Sequence, residues 1–593
     1  MSKYEAPLRD MRFVLFEVLK ADQALAEMPA FAGFSREDYD AVLDEAAKFN
    51  NQVLAPLNPI GDREGCRFDD GAVSTPTGFK EAYQQFVDGG WNGLVADPEH
   101  GGQGMPQTVG AAIKEMIDSA NLSWGNYPLL SHGATEALVH VAEDWQREAF
   151  LKPIVAGRWT GTMCLTEPHC GTDLGLLKTR AEPGPDDTWK LYGTKIFITG
   201  GERDMAEDIV HLVLARLPDA PAGTKGISLF VVPKFKVDRS GKMGERNALS
   251  CGSIEHKMGI KASATCVMNF DGAEAYLLGA PHKGLNTMFI MMNTARLAVG
   301  LQGLGLIERA YQNALAYARD RLQMRALGGA KFPDKPADPI IVHPDVRRML
   351  LTQKAIAEAG RALAYYAYLQ EDLKERAPTP QARQKADELV SFLTPIVKGV
   401  LTELACECTY HAVQILGGHG YIAEWGQEQM ARDARITTIY EGTTQIQALD
   451  LLGRKIIQLQ GAGLKHFLAE IGAFVAVEGS REELQAFAQP LAALVKQWDE
   501  LTLDIGRRAA TNPDEMGAAA VDYLFYAGYL AMAYFWAREV AALNPQHNAE
   551  FAQAKRATAR FYFARILPRA DMHRAAILAG APSLMDLPEA AFG

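Results

Sequence analysis

Glu441 stands in Ile439-Tyr440-Glu441-Gly442-Thr443-Thr444-Gln445-Ile446-Gln447, just ahead of a run in which Ile446, Leu449, Leu452, Ile456 and Ile457 recur at helical spacing. Thr443 or Thr444 can cap that helix. The nearby helix terminus favours a carboxylate, while apolar surroundings push its pKa upward. A group balanced in that way can serve as a general base near working pH. Taken alone, a glutamate there also reads as an ordinary first-turn acid on the helix dipole. A second stretch, Lys195-Ile196-Phe197-Ile198-Thr199-Gly200, has Phe197 and Thr199 alternating with Ile198 along a strand, so that both face one side. That pairs an aromatic wall with a hydroxyl; taken alone, Phe197 reads as a core aromatic and Thr199 as a sheet-edge residue. The third stretch is Met163-Cys164-Leu165-Thr166-Glu167-Pro168-His169-Cys170-Gly171-Thr172-Asp173.

The elements that must position these residues change character along the chain. The first 160 residues read as helical, with Glu37 to Val53 behind a Ser35 cap and Gln146 to Ile154 as examples. Short β-rich runs follow at Trp189 to Ile198, Ile209 to Ala215, Ile227 to Val232 and Thr265 to Phe270, set apart by clusters such as Pro183-Gly184-Pro185-Asp186-Asp187. Helical spacing returns from Thr294 to Arg319, breaks at a proline-rich loop from Gly328 to Pro344 and again at Pro378 and Pro380, and resumes after Gly461-Ala462-Gly463. The fold class predicted is α+β, mainly helical. It comprises an N-terminal helical extension (1–36), an N-terminal α-domain (37–160), a central antiparallel β-domain (161–280), a four-helix-bundle domain (281–460) and an additional helical domain (461–593). No βαβ alternation and no GxGxxG turn after a strand is present, which argues against a Rossmann fold.

In this order and layout, the three stretches resemble the acyl-CoA dehydrogenases. Met163–Asp173 looks like the family's flavin and substrate signature, and Lys195–Gly200 is similar to its second flavin segment. Arg432-Asp433-Ala434-Arg435-Ile436, running into Ile439–Gln447, resembles its catalytic segment. The likeness implies an acyl-CoA dehydrogenase fold, FAD as cofactor and a medium- or long-chain fatty acyl-CoA as substrate. It also implies electron-transfer flavoprotein as the electron partner and a homodimer. Glu441 would take the α-proton as the β-hydrogen leaves as hydride to the flavin, giving a trans-2-enoyl-CoA. The thioester oxygen must be held by donors that strengthen as enolate charge develops; the family uses a ribityl hydroxyl and the backbone N–H of the base, here Glu441.

The resemblance also assigns roles. Around the flavin ring it places Met163, Leu165, Thr166, Gly171 and Thr172, with Phe197, Ile198 and Thr199 from the second segment. Arg321 matches an arginine reaching the flavin phosphate of the other subunit, with Gln323 nearby. Gln414 and Gly418 match the adenine-half segment, completed by Thr443 and Gln445. Thr172, Asn293, Arg296 and Gly442 fall at positions that touch substrate or brace the site. The chain departs from the pattern where Arg321-Leu322-Gln323-Met324-Arg325 lacks the usual aromatic–glycine pair, which loosens the cross-subunit assignment. His169 and Cys170 replace small residues; His169 reads as a neutral, hydrogen-bonded loop histidine. The added helical region resembles a larger bacterial branch that includes enzymes acting on 3-methylmercaptopropionyl-CoA. Rival readings are an acyl-CoA oxidase and a flavin-bearing DNA-binding relative.

A net charge of −12, with 12 Lys and Arg against 15 Asp and Glu after Gly461, argues against a nucleic-acid partner. Seven scattered cysteines without a CxxC pair indicate neither a disulfide framework nor a metal site, which fits a reducing cytoplasm; Cys406 and Cys408 read as helix packing. The amino terminus carries Glu5 and Asp10 and lacks the apolar core of a signal peptide. Tyr523 to Ala537 is apolar but shorter than the roughly 20 residues that span a bilayer. A buried helix is expected there, with peripheral membrane contact as the alternative. Lys555, Arg556, Arg560, Arg565, Arg569 and Arg574 read as a solvated face or a subunit interface.

Overall fold

The computed structural model describes residues 3–593. Their contacts divide into two compact units that interleave along the chain. One comprises the residues up to Ala47, Pro106–Ser119 and Val299–Gly593; the other comprises Lys48–Met105 and Ala120–Ala298.

The second unit is built on a seven-stranded sheet: β1 (Trp159–Cys164), β2 (Arg180–Pro183), β3 (Trp189–Thr199), β4 (Asp208–Arg216), β5 (Ile227–Pro233), β6 (Leu249–Ile254) and β7 (Thr265–Leu278). The order is β6-β7-β3-β2-β4-β1, and β5 pairs with both β4 and β7, so the pairing closes into a ring. The antiparallel expectation holds except at one edge, where β1 runs parallel to β4 and β2 meets β4 in a single parallel bridge. Both faces of β4 are covered. Val210, Leu212 and Leu214 join the core that holds Phe150 and Trp159, while Val213 and Ala215 join that of Phe230 and Phe270. That is why Ile209 to Ala215 is a continuous apolar run without alternation. The helical segment Gln107–Val141 is broken at Asn121, whose side chain accepts the N–H of Trp124 and so caps the half that lies in this unit.

The first unit is helical. Its long elements are α1 (Gly284–Asp320, from Val299 onward), α2 (Pro344–Arg376), α3 (Pro380–Leu416), α4 (Gln427–Thr437), α5 (Thr444–Leu449), α6 (Ala462–Glu478), α7 (Gln485–Thr511), α8 (Asp514–Ala542) and α9 (Ala549–Phe561). Gly303 lets α1 lie close to α3, since a Cβ there would come within 2.8 Å of the Leu401 backbone. The apolar Tyr523–Ala537 run lies inside α8 and is buried: Trp536 donates to the Ala355 carbonyl at 3.0 Å and Gly528 packs on Val400. Among the described residues two other helices, Gly284–Asp320 and Pro380–Tyr421, are long and apolar enough to cross a membrane. Their apolar windows are 78% and 83% buried, as in core helices.

Of the six basic residues read as a solvated face or a subunit interface, Arg560 and Arg565 are exposed, but the first, Lys555, is interior. Lys555 on α9 contacts Asp10, Glu358 (3.1 Å) and Glu539 (2.6 Å), and Arg361 contacts Asp10, Glu115 (2.6 Å) and Glu308 (2.8 Å). Arg569 is likewise committed to Glu407, through two contacts of 2.7 Å. Periodicity along one helix cannot reveal acids supplied by distant segments; hence the misreading of Lys555 and Arg569.

Candidate active site

In the sheet unit, a buried ion pair ties the two sequence motifs together. Lys195 on β3 donates to the Leu165 carbonyl (2.9 Å) and to Glu167 (2.8 Å), and the Ile196 N–H donates to the Thr166 carbonyl (2.9 Å). Glu167 also accepts the backbone N–H groups of Lys178 and Thr179 and the Thr179 hydroxyl. Burial acts to raise the Glu167 carboxyl, but the Lys195 ammonium and these donors outweigh it and bring it down to about 2. Burial pushes the Lys195 ammonium below its ordinary value. The contact of Lys195 with Glu167 and with the Leu165 carbonyl fixes the Leu165-Thr166 backbone against the end of β3.

That end is a β-bulge. Ile198 pairs with Cys266 and Lys195 with Met268, so Ile196 and Phe197 together oppose Val267. Phe197 takes a left-handed φ of 59° and is 59% exposed, whereas Ile198 is buried and Thr199 half-buried. Phe197 is thus not a core aromatic. It is turned out by the bulge, a reason that strand alternation alone did not supply. Met163 and Thr166 are half-buried, Leu165 is buried, and Gly171 and Thr172 are exposed. An exposed aromatic face beside the half-buried Thr166 and Thr199 suits the edge of a flat heteroaromatic ring. His169 is the expected loop histidine, its Nε2 3.0 Å from the Leu176 carbonyl. Asn293 is exposed and meets the buried Arg296 at 3.4 Å, with Arg296 6.0 Å from the Phe289 ring centroid. Arg296 therefore braces Asn293.

In the helical unit, the turn after α4 carries Glu441. This residue has φ 57°, and Gly442 follows at 92°. The left-handed region is disfavoured for a side chain as long as glutamate, so surrounding contacts must impose it. Gln447 donates to the Glu441 carbonyl (3.2 Å) and Lys398 to the Gly442 carbonyl (2.7 Å). Thr443 is the N-cap of α5, accepting the Ile446 N–H, and Thr444 donates its hydroxyl to Glu403 at 2.5 Å. The Tyr440 phenol donates to Gln302 and is raised well above its ordinary value by burial and by the nearby charges of Asp118, Glu441 and Asp433. Glu441 is half-buried at the head of a capped helix, and Gln445 is exposed.

Gln414, Gly417 and Gly418 are exposed at the end of α3, where a Cβ on either glycine would meet nothing within 4 Å. Beyond them His419 stacks on Trp425 (4.4 Å, 11°) and meets the Tyr317 hydroxyl at 2.9 Å. Arg321 and Gln323 are exposed and hydrogen-bonded to each other at 3.3 Å. The loop after them is stapled by Asp338, which accepts the N–H groups of Ala326, Lys331 and Phe332 and a bond from Arg325. Burial raises its carboxyl, and these donors overcome that to bring it to about 2. That local framework stands where the family's aromatic–glycine pair was missed.

Lys398 and Gln447 were not singled out from sequence. The signal was present: Lys398 is one charge in Leu393-Thr394-Pro395-Ile396-Val397-Lys398-Gly399-Val400-Leu401, an otherwise apolar helical run that only a bound partner explains.

Comparison with known proteins agrees with this arrangement. Residues 36–158, 162–273 and 282–456 match the acyl-CoA dehydrogenase N-terminal, middle and C-terminal domain models, and 467–588 match an acetyl-CoA dehydrogenase C-terminal-like model. The chain is 44% identical to a 3-methylmercaptopropionyl-CoA dehydrogenase of Ruegeria pomeroyi, covering 98% of this chain and 99% of that one. It is 36% identical to a butyryl-CoA dehydrogenase of Syntrophomonas wolfei, covering 99% of each. Among solved structures, Caenorhabditis elegans ACDH-11 in complex with C11-CoA aligns with a TM-score of 0.78 at 18% identity, over 95% of this chain and 92% of that one. An acyl-CoA dehydrogenase from Bacillus anthracis complexed with FAD aligns at 0.73 and 21%, over 94% and 90%. With each motif carried on the element that its chemistry needs and relatives matching from end to end, the chain belongs to the acyl-CoA dehydrogenase family.

Proposed function

We propose that this protein removes the α-proton of a fatty acyl-CoA with Glu441 and yields the trans-2-enoyl-CoA, with FAD as cofactor. The observation that carries the reading is the Glu441 carboxylate, presented by a left-handed turn whose carbonyls are pinned from behind. Bound FAD supplies the acceptor for the β-hydride. Phe197, Thr166 and Thr199 would hold its ring edge, and Gln414 and Gly418 would take an adenine half, with Arg321 reaching a phosphate across the dimer interface. Proton removal by a positioned carboxylate contributes about 10²–10⁴-fold.

The substrate favoured is a medium- or long-chain linear acyl-CoA. A second reading, 3-methylmercaptopropionyl-CoA, has the 44% identical relative in its favour. A panel of saturated acyl-CoAs from short to long chain, with 3-methylmercaptopropionyl-CoA, separates them by the rate of anaerobic flavin bleaching. Fastest bleaching by a linear chain supports the first reading, fastest bleaching by the thioether supports the second, and no bleaching by any thioester defeats both.

Electron-transfer flavoprotein is the proposed electron partner, and millisecond reoxidation of the reduced enzyme by air would favour an oxidase instead. A homodimer is the proposed assembly. Exposed apolar residues near Arg321 and Gln414, namely Met324, Leu327, Tyr421 and Ile422, favour burial against a second copy. Sedimentation equilibrium is expected to give twice the chain mass.

A further inference from the structure

Lys398 lies in the middle of α3 and is 0% exposed. An ammonium in an apolar interior is costly unless its charge and its protons are engaged. One proton goes to the Gly442 carbonyl at 2.7 Å, directly after Glu441. Gln447, also 0% exposed, gives its amide to the preceding carbonyl, that of Glu441. Because a trans peptide is planar, aiming a carbonyl at a donor aims the following N–H the opposite way. Two carbonyls pinned in succession therefore fix both peptide planes flanking the Gly442 Cα. Glu441 keeps φ 57° only while outside contacts impose it, whereas Gly442 takes 92° freely as a glycine. The next residue, Gly399, packs α3 against α8, where a Cβ would come 2.6 Å from Leu524, and lies in contact range of Gln447 on α5.

We propose that Lys398 is a positioning residue for α-proton removal, its ammonium holding the Glu441–Gly442 turn in the shape that presents the carboxylate. The inference rests on Glu441 being the base. Acids and bases both surround the turn: Arg435 bonds the Thr438 hydroxyl next to it, and Lys114 pairs with Asp118. Glu403 accepts the Thr444 hydroxyl, while Asp118 and Asp433 act with Glu441 on Tyr440. Lys398 is the cation that donates to the backbone of the turn itself, and loss of its charge makes the nearby carboxylate easier to protonate.

The test uses the full-length, FAD-loaded protein and follows anaerobic flavin reduction by acyl-CoA across pH. In Lys398→Met and Lys398→Gln the rate at neutral pH is expected to fall about tenfold or more. The acid limb of the profile is expected to move upward by about one pH unit, and Lys398→Arg should return the limb toward its original position. Loss of packing alone would lower the yield of holoenzyme without moving the limb. Should the Met and Gln variants not fold, Gln447→Leu removes the neighbouring pin without touching the charge. It is expected to slow reduction with the limb in place, and an undiminished rate there overturns the proposal. Neutral Lys398 variants with wild-type rate and limb also overturn it. If Glu441→Gln is inert beside a wild-type-like Lys398→Met, only this inference fails; an active Glu441→Gln removes the base assignment itself.

Discussion

Glu441→Gln is expected to fold, to remain yellow with bound FAD, and to lose at least about 10²-fold in the rate at which acyl-CoA bleaches the flavin. The amide has nearly the same shape as the carboxylate but does not accept a proton near neutral pH. The turn should survive because its shape is set by bonds to backbone carbonyls, those of Glu441 and Gly442, which the substitution leaves in place. Thr443 still caps α5. Since the side chain carries the chemistry and the backbone carries the fold, binding of the thioester and turnover should separate. Affinity for acyl-CoA stays near wild type while reduction stops, as anaerobic titration and stopped-flow absorbance would record.

The largest effect on stability is expected at Arg361. Its guanidinium is 1% exposed and bonds Glu115 through Nε and Nη2, Glu308 through Nη2, and Asp10. Together with Lys555 and Lys354 it is set among Asp10, Glu115, Glu308, Glu358 and Glu539, so acids outnumber bases in a buried cluster. Burial would raise Asp10, yet Lys555 and Arg361 hold it well below the usual carboxylate range; Glu115 and Glu539 remain raised by burial. Arg361→Met removes the cation that Glu115 and Glu308 share and leaves Asp10 with Lys555. Removing one partner from a buried pair costs about 3–5 kcal/mol, which urea denaturation should register as a large drop in midpoint. A loss below about 1 kcal/mol would mean that the cluster is solvated or reorganises freely. The cluster joins Asp10 near the amino terminus to Glu539 and Lys555 in the added helical region. The same substitution should therefore expose residues 462–593 to proteolysis first.

The local frame that carries the candidate site was legible because its motifs are local. Thr443 capping α5, Ser35 exchanging hydrogen bonds with Asp38 ahead of its helix, and the strands around Trp189, Ile209 and Ile227 follow from near-neighbour rules. What stayed hidden depends on contacts distant in sequence. The bulge that turns Phe197 outward is set by one extra residue opposite Val267, and a two-residue period cannot foresee it. The parallel pairing of β1 with β4 requires knowing which strands become neighbours. The partners of Lys398 and Lys555 lie 44 residues away in the first case, at Gly442, and at Asp10 near the opposite end of the chain in the second. Sequence periodicity shows that a charge sits on an apolar face, but the fold alone shows what it neutralises.

Anaerobic stopped-flow reduction with an acyl-CoA deuterated at C2, run on wild type and on Glu441→Gln, addresses the base assignment most directly. Removal of the α-proton by Glu441 predicts that deuterium at C2 slows flavin bleaching in the wild type and that the variant barely bleaches with either isotopologue. Bleaching by Glu441→Gln at the wild-type rate would contradict it.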